Sequence, residues 1–126
     1  MARWKIKNVG MKGVSMAVPE NVVKTSDFDF FSQEEAEVFD NTVGIRRRHI
    51  APDNMCASDM CQAAAEKLLE ELGWERDSID VLLFESVTGD YRTPPTSCIL
   101  QDRLALSENC FCMDIPMGCC GCMYAI

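Results

Sequence analysis

The clearest periodic pattern of apolar positions lies between residues 58 and 73. Apolar side chains recur there at spacings of three and four residues, which is the period of one buried helix face. These positions are Cys61, Ala64, Ala65, Leu68 and Leu72. Ser58 is a residue type that favours the N-cap of a helix, and Gly73 is one that favours the left-handed C-cap. The pattern therefore predicts one helix with Ser58 as its N-cap and Gly73 as its end.

Two nearly continuous apolar runs flank a second helical segment. The runs are IDVLLFESV at residues 79–87 and CFCMDI at residues 110–115. Apolar runs without polar alternation are typical of strands that are covered on both faces, as in parallel sheets. Between the runs, the break TPPT precedes a predicted helix over residues 97–106. Its apolar positions are Cys98, Ile99, Leu100, Leu104 and Leu106.

The first fifty residues carry weaker signals. Residues 4–17 alternate loosely between apolar and polar positions, with two glycines, and predict an irregular strand. Residues 25–40 predict a short helix with loop, and residues 43–50 predict a second strand with Gly44 beside a tight turn. The resulting order of elements is β, β, α, β, α, β and the start of another helix. This order is typical of an α/β layer fold.

Composition and charge exclude several classes of protein. The 126 residues suffice for one domain or part of one, with a real hydrophobic core. A net charge of -8 argues against a nucleic-acid binder, because the only basic run is Arg46, Arg47 and Arg48. No apolar stretch approaches membrane-spanning length, and the first residues lack the apolar core of a signal peptide. These features predict a cytoplasmic protein.

Eight cysteines raise the question of disulfides or reactive thiols. A disulfide framework requires a secreted context, of which the sequence shows no sign, so we expect most thiols to be reduced. Five of them fall in predicted helices or strands, where cysteine behaves as a small hydrophobic residue. These five are Cys56, Cys61, Cys98, Cys110 and Cys112.

The other three thiols, Cys119, Cys120 and Cys122, follow the last predicted strand and Gly118. Ligands and chemistry gather at the carboxyl ends of strands in open α/β sheets. A helix that begins near Cys119 would direct free N–H groups and its positive dipole end at that thiol. This environment favours the thiolate, and the same N–H groups could stabilise an oxyanion. The pattern therefore favours a nucleophilic cysteine.

Other interpretations of this cluster stay open at the level of the residues. Cys119 and Cys122 form a C-x-x-C pair, the arrangement of thioredoxin-like redox proteins. A zinc site is disfavoured, because His49 is the only histidine and no second C-x-x-C is present. All three thiols could also simply pack in a core.

Four segments, in one order and spacing, carry a family resemblance. They are VGIRRRHI at residues 43–50, the helix of residues 58–73, the strand of residues 79–87 and DIPMGCCGCMYAI at residues 114–126. Together they resemble the N-terminal part of a β-ketoacyl-acyl carrier protein synthase III, a condensing enzyme of the thiolase superfamily. The resemblance implies a thiolase-like α/β fold with a mixed, mostly parallel sheet. It also implies that residues 1–126 are the N-terminal half of a longer domain and end inside the nucleophile helix.

The resemblance assigns the nucleophile. Counting from Asp114 and from the Gly121-x-x-Tyr124-Ala125 motif selects Cys119 as the thiol that accepts the acyl group. A malonyl thioester then loses CO2 and condenses with the acyl-cysteine, with the help of a histidine and an asparagine from the other half. Cys120 would be rotated about 100° around the helix and point into the packing.

The resemblance also implies partners and a pocket. Family members are homodimers that use acyl carrier protein or coenzyme A thioesters as substrates, with no covalently bound cofactor and no metal. Thr93 corresponds to a residue that reaches the acyl pocket of the partner subunit. His49 corresponds to a structural, hydrogen-bonded histidine.

Several positions depart from the family pattern. Pro116 and Met117 replace small residues, and Cys122 replaces an aromatic one. Val38 and Thr42 stand where members primed by acetyl-coenzyme A have a tryptophan and an arginine, which puts coenzyme A priming in doubt. The family's carrier protein is acidic, as this chain is, so an attractive surface must come from residues 46–48 or from other parts of the enzyme.

Two alternatives to a condensing acyltransferase remain. The first is a non-catalytic acyl-binding or partner subunit of the same fold. The second is a redox protein, which would need both Cys119 and Cys122, whereas condensation needs Cys119 alone.

Overall fold

The computed structural model describes residue 5 and residues 7–126. In this part of the chain, strands alternate with helices. They are β1 (Val22–Lys24), α1 (Gln33–Val43), β2 (Arg47–His49), α2 (Ala57–Leu72), β3 (Val81–Glu85), α3 (Thr96–Arg103), β4 (Phe111–Ile115) and α4 (Gly121–Ala125). Short 3-10 turns occur at Thr25–Asp27, Arg76–Ser78 and Gly118–Cys120. The predicted α/β class is confirmed.

The strand predicted over residues 4–17 is wrong where the structure describes it. Trp4 and Ile6, on which part of that pattern rests, lie outside the described residues. Residues 7–17 form neither helix nor strand, and their apolar side chains Val9, Met11 and Val14 are exposed. A strand needs a neighbour for its backbone hydrogen bonds, and no described strand runs beside this segment.

α1 has clear signals at both ends. Ser32 Oγ accepts a hydrogen bond from the Glu35 N–H at 3.3 Å, and the Glu35 carboxylate accepts one from the Ser32 N–H at 2.9 Å. This capping box satisfies N–H groups that the first helical turn leaves free. Gly44 ends the helix with a φ of +79°. The helix therefore includes Val43, and the strand predicted over residues 43–50 shrinks to β2.

β1 and β2 pair antiparallel, with Val22 opposite His49. His49 Nδ1 donates a hydrogen bond to the carbonyl oxygen of Pro19 at 2.5 Å. The ring therefore ties β2 to the segment before β1, which is the structural role that the resemblance implied.

α2 confirms the predicted helix but not its predicted N-cap. The cap position is Cys56, two residues before Ser58, and the helix ends at Gly73 with a φ of +62° as expected. Ser58 lies inside the first turn and is fully buried, and its hydroxyl donates to the carboxylate of Asp90. The tertiary contact with Asp90 thus takes the hydroxyl that sequence reasoning assigned to the helix end. Cys61, predicted on the buried face of α2, is exposed.

β3 and β4 form a parallel pair of equal length, from Val81 opposite Phe111 to Glu85 opposite Ile115. Residues opposite each other share a face of the sheet. One face carries Phe84, which packs against Leu100 of α3 and against Leu104 in the main buried cluster. The core therefore lies between this face and α3.

The other face of the pair is only partly covered. Val81 and Phe111 are more than half exposed, and Met113 is 43% exposed, although the apolar runs predicted cover on both faces. The prediction of double cover is therefore wrong for the described residues. α4 contacts β3 and β4 and covers part of the sheet near Glu85, the last residue of β3.

The predicted packing of five thiols holds for two of them. Cys110 is buried and Cys112 is half-buried in β4 and its approach. The other three, Cys56, Cys61 and Cys98, are exposed. In the described part of the chain, no helix is both long and apolar enough to span a membrane.

Candidate active site

The two parallel strands deliver two connections to one edge of the sheet. β3 ends at Glu85 and β4 ends at Ile115, and these two residues are register partners. The connection after β3 includes Thr93, and the connection after β4 leads within four residues to Cys119. The sequence-predicted site residues therefore follow the carboxyl ends of neighbouring strands, where α/β folds place their ligands.

Cys119 lies in the 3-10 turn Gly118–Cys120, directly before α4. Gly118 has a φ of +60°, a left-handed conformation that glycine adopts without the penalty that a side chain carries. Cys119, the next residue, is exposed. The helix that sequence reasoning started near Cys119 begins two residues later, at Gly121.

Solvent exposure does not distinguish Cys119 from the two neighbouring thiols. Cys120 and Cys122 are exposed as well, so the prediction that Cys120 points into the packing is wrong for the described chain. All three cysteines are free thiols.

Gly121 makes close approach between α4 and β3 possible. A Cβ atom on residue 121 would overlap the side chain of Glu85, at its Cγ and Oε1 atoms. Gly121 is itself buried, and Glu85 Oε1 is a buried oxygen without a hydrogen-bond partner among the described residues. The carboxylate of Glu85 thus lies against the backbone of the helix that follows Cys119.

Asp114 connects β4, the strand that precedes Cys119, to α3. Its Oδ2 accepts a hydrogen bond from the N–H of Thr96 at 2.8 Å, and its Oδ1 accepts one from the N–H of Ser97 at 2.8 Å. Burial raises the pKa of Asp114, but the hydrogen bonds from Ser97 and Thr96 outweigh burial and lower it below the ordinary value of a carboxyl group. Asp114 is therefore held as a carboxylate.

Thr93 is exposed in the turn before α3, and its peptide bond to Pro94 is cis. The structure therefore leaves its side chain accessible.

Sequence reasoning did not assign roles to Glu85 or to the partners of Asp114. The sequence did contain a signal for Glu85. Residues 81–87 are apolar apart from Glu85 and Ser86, and Glu85 is the one charged residue among them. Thr96 and Ser97 carried the signal of hydroxyl residues directly after two prolines, a composition typical of a helix start.

Among the described residues, no group of three or more histidine, cysteine or acidic side chains could hold a metal ion. Cys112 lies close enough to Cys110 for the two thiols to interact. Burial, together with Cys110, raises the pKa of Cys112 to about 11, so this thiol is unreactive at neutral pH.

An open groove along one side of α1 is lined mainly by apolar side chains. Its lining includes Phe31, Val38, Phe39, Thr42 and Val43. Thr42 Oγ1 donates to the carbonyl oxygen of Val38 at 2.7 Å, so its hydroxyl is engaged by its own helix. Val38 and Thr42, two of the positions that depart from the pattern of the resembled family, therefore both line this groove.

Comparison with known proteins gives the chain its relatives. The β-ketoacyl-acyl carrier protein synthase III of Geobacillus kaustophilus is 36% identical over 117 residues, which are 93% of this chain and 37% of the relative. The enzyme of the same name from Clostridium perfringens is 34% identical over 121 residues, which are 96% of this chain and 37% of the relative. The chain is homologous to β-ketoacyl-acyl carrier protein synthase III. No family model matches it.

Solved structures agree with this relationship. The 3-oxoacyl-(acyl-carrier protein) synthase of Burkholderia xenovorans has a TM-score of 0.76 and 37% identity, and the match covers 81% of this chain and 30% of that one. The synthase III of Thermus thermophilus has a TM-score of 0.79 and 28% identity, and the match covers 93% of this chain and 36% of that one. The predicted thiolase-like fold is confirmed. The chain spans about 37% of the length of the synthase III relatives that it matches.

Proposed function

We propose that the protein is a condensing acyltransferase of the synthase III type and that Cys119 is its acyl-accepting nucleophile. One observation carries the proposal. In a chain homologous to synthase III, an exposed thiol follows the carboxyl end of a parallel strand and lies two residues before a helix. This is the position at which α/β folds present reactive groups to substrates.

The proposed chemistry has two steps. In the first, the Cys119 thiolate attacks the carbonyl carbon of an acyl thioester, and the thiol of the donor leaves, so that an acyl-cysteine forms. In the second, a malonyl thioester loses CO2, and the resulting carbanion attacks the acyl-cysteine. The cysteine thiolate leaves, and a β-ketoacyl thioester is released.

Spacing, and not exposure, selects Cys119 among the three thiols. It lies five residues after Asp114 and two before Gly121, the positions that match the family's closing motif. Cys120 and Cys122 are equally accessible, so they are the natural controls for this assignment.

The homologues suggest the substrates and partners. Acyl carrier protein appears in the names of the relatives, and we propose acyl and malonyl thioesters of carrier protein or coenzyme A as substrates. We further propose a homodimer in which Thr93 of one subunit borders the acyl pocket of the other. The exposed position of Thr93 before α3 is compatible with such a contact.

The groove on α1 bears on the choice of donor. Val38 is 61% exposed there, and the hydroxyl of Thr42 is bonded within the helix. Neither side chain offers the stacking surface or the positive charge with which a nucleotide is commonly held. We therefore propose carrier protein as the preferred acyl donor over coenzyme A.

The test uses the protein expressed from its complete reading frame. It is incubated with an acyl thioester, and peptide mass spectrometry locates the adduct. We expect acylation at Cys119, its loss in Cys119→Ala and its retention in the matched variants Cys120→Ala and Cys122→Ala. An adduct on Cys120, no adduct at all, or activity that depends on a reversible Cys119–Cys122 disulfide would contradict the proposal. These outcomes would favour, respectively, a shifted nucleophile, a non-catalytic subunit and a redox protein.

A further inference from the structure

A chain of hydrogen bonds begins at Asp114, and the acyl transfer proposed above uses none of its members. Both carboxylate oxygens of Asp114 accept backbone N–H groups at 2.8 Å, from Thr96 and from Ser97. These are the first residues of α3, whose N–H groups have no partner within the helix. Pro95, at the cap position, provides no side-chain cap. A carboxylate on the nucleophile's own strand therefore caps α3 from outside.

The same chain of bonds continues to α2. Thr96 Oγ1 accepts a hydrogen bond from the N–H of Asp90 at 3.1 Å, and the Asp90 carboxylate accepts one from the hydroxyl of Ser58. Arg103 Nη1 donates to Ser58 Oγ at 2.9 Å. Thr96 and Ser58 are fully buried, so the loss of any of these partners leaves a polar group without water or protein to bind.

These bonds hold both ends of one short segment. Asp90 and Thr96 bound the stretch that contains Thr93, and they are bonded to each other. Thr96 is in turn bonded to Asp114, five residues before Cys119. The two ends of the stretch with Thr93 therefore cannot shift relative to β4 unless one of these hydrogen bonds breaks.

We propose that Asp114 is a positioning residue that fixes the segment with Thr93 on its own subunit and thereby sets which acyl chain lengths the pocket of the partner subunit accepts. This inference rests on the proposed function and goes beyond it, because it makes the specificity for acyl thioesters depend on a residue that touches no substrate. The bonds from Asp114 are charge-assisted, the stronger class of hydrogen bond, so they are suited to hold a loop in one place.

The test compares acyl donors of different length on the protein from the complete reading frame. The rate of Cys119 acylation, as kcat/KM, is measured with acetyl, hexanoyl and decanoyl thioesters of one carrier. Asp114→Asn replaces one acceptor oxygen by an NH2 group, which faces an N–H donor and cannot bond to it. We expect the ratio of long-chain to short-chain kcat/KM to change by about tenfold, because a displaced pocket wall changes the fit of the acyl chain, and one methylene group in an apolar pocket is worth about tenfold or more.

Two further variants make the result decisive. Asp102→Asn is the matched control, because it removes the same charge from an exposed position on α3 and should leave the ratio unchanged. Thr96→Val keeps the bond to Asp114 but removes the acceptor for Asp90, and we expect a smaller change of the ratio in the same direction. Thr96→Val also decides the question if Asp114→Asn does not fold.

The outcomes separate this inference from the proposed function. If the unaltered protein does not acylate Cys119, the proposed function fails and the inference falls with it. If the unaltered protein acylates Cys119, and the folded variants lower all rates equally or lower only thermal stability, then the inference alone is overturned. A changed ratio in Asp114→Asn or Thr96→Val, with an unchanged ratio in Asp102→Asn, supports it.

Discussion

The carboxylate of Glu85 occupies the space that a Cβ atom on Gly121 would need. This contact joins the end of β3 to the start of α4, and Cys119 lies only two residues before it. The absence of a side chain at residue 121 is thus a requirement of tertiary packing, because the backbone of Gly121 has an ordinary helical conformation, with a φ of -59°. The contact also fixes how closely the helix after Cys119 approaches the sheet.

A methyl group at residue 121 should therefore disturb the site. We expect Gly121→Ala to lower the free energy of unfolding by about 1–3 kcal/mol, the usual cost of overpacking, and to slow acylation of Cys119. Glu85→Ala removes the overlapping atoms, so the double variant should regain much of the loss. Urea denaturation and acylation rates of the two single variants and the double variant measure this coupling. Additive effects of the two changes would contradict the proposed contact.

The lowered pKa of Asp114 predicts how stability depends on pH. A carboxyl group whose pKa is lower in the folded state than in the unfolded state stabilises the fold above the unfolded value, about 3.9. That contribution is lost as the pH falls through the lower folded pKa. We therefore expect Asp114→Asn to be less stable than the unaltered protein at pH about 6 and the gap to narrow below pH about 4.

Urea unfolding midpoints at several pH values test this dependence. Asp102→Asn serves as the control, because Asp102 is exposed on the same helix as the partners of Asp114. A gap between Asp114→Asn and the unaltered protein that stays constant from neutral to acidic pH would show that the charge of Asp114 is not what stabilises the start of α3.

The thiols should differ in reactivity. Burial and the neighbouring Cys110 raise the pKa of Cys112 to about 11, so about one in a thousand of these thiols is ionised at pH about 8. Cys119 is exposed. We expect iodoacetamide to label Cys119 well before Cys112 in the folded protein, as followed by peptide mass spectrometry. Labelling in denaturant, where both thiols are equally accessible, is the control, and equal rates in the folded protein would refute the expectation.

The exposed Thr93 offers a direct test of the proposed acyl pocket. Thr93→Phe places a bulky ring at the position that we assign to the pocket of the partner subunit, and it should narrow acceptance to short acyl chains. The chain-length profile of β-ketoacyl products measures the effect, and Thr88→Phe, in the same exposed connection after β3, is the matched control. An unchanged profile in Thr93→Phe would remove Thr93 from the pocket.

The strongest local patterns were the ones that predicted structure correctly. The helix that ends at Gly73 and the two apolar strands were predictable because period and end signals agree there, and Gly73 has the expected left-handed conformation. The position of Cys119 after the last strand was predictable for the same reason.

Tertiary contacts decided the rest. Ser58 has the chemistry of an N-cap, but its hydroxyl is taken by Asp90, which is 32 residues further along the chain. Asp114 bonds to Thr96 and Ser97, which lie 18 and 17 positions earlier in the chain. The fit of Glu85 against Gly121 likewise depends on how closely α4 approaches β3. No local pattern contains such information.

β3 and β4 pair along their whole equal length. The two strands and the connections after them should therefore differ in how well they tolerate insertions and deletions during evolution. Insertions into the connections after Glu85 or Ile115 would lengthen loops at the edge of the sheet, where variation is commonly tolerated. The gain or loss of one residue inside either strand would turn every later side chain of that strand to the opposite face. In β4 such a change would turn Asp114 away from the start of α3, although no residue of the turn that carries Cys119 had changed. New substrate preferences in descendants of this protein should therefore arise by changes of loop length, while the two strands keep theirs.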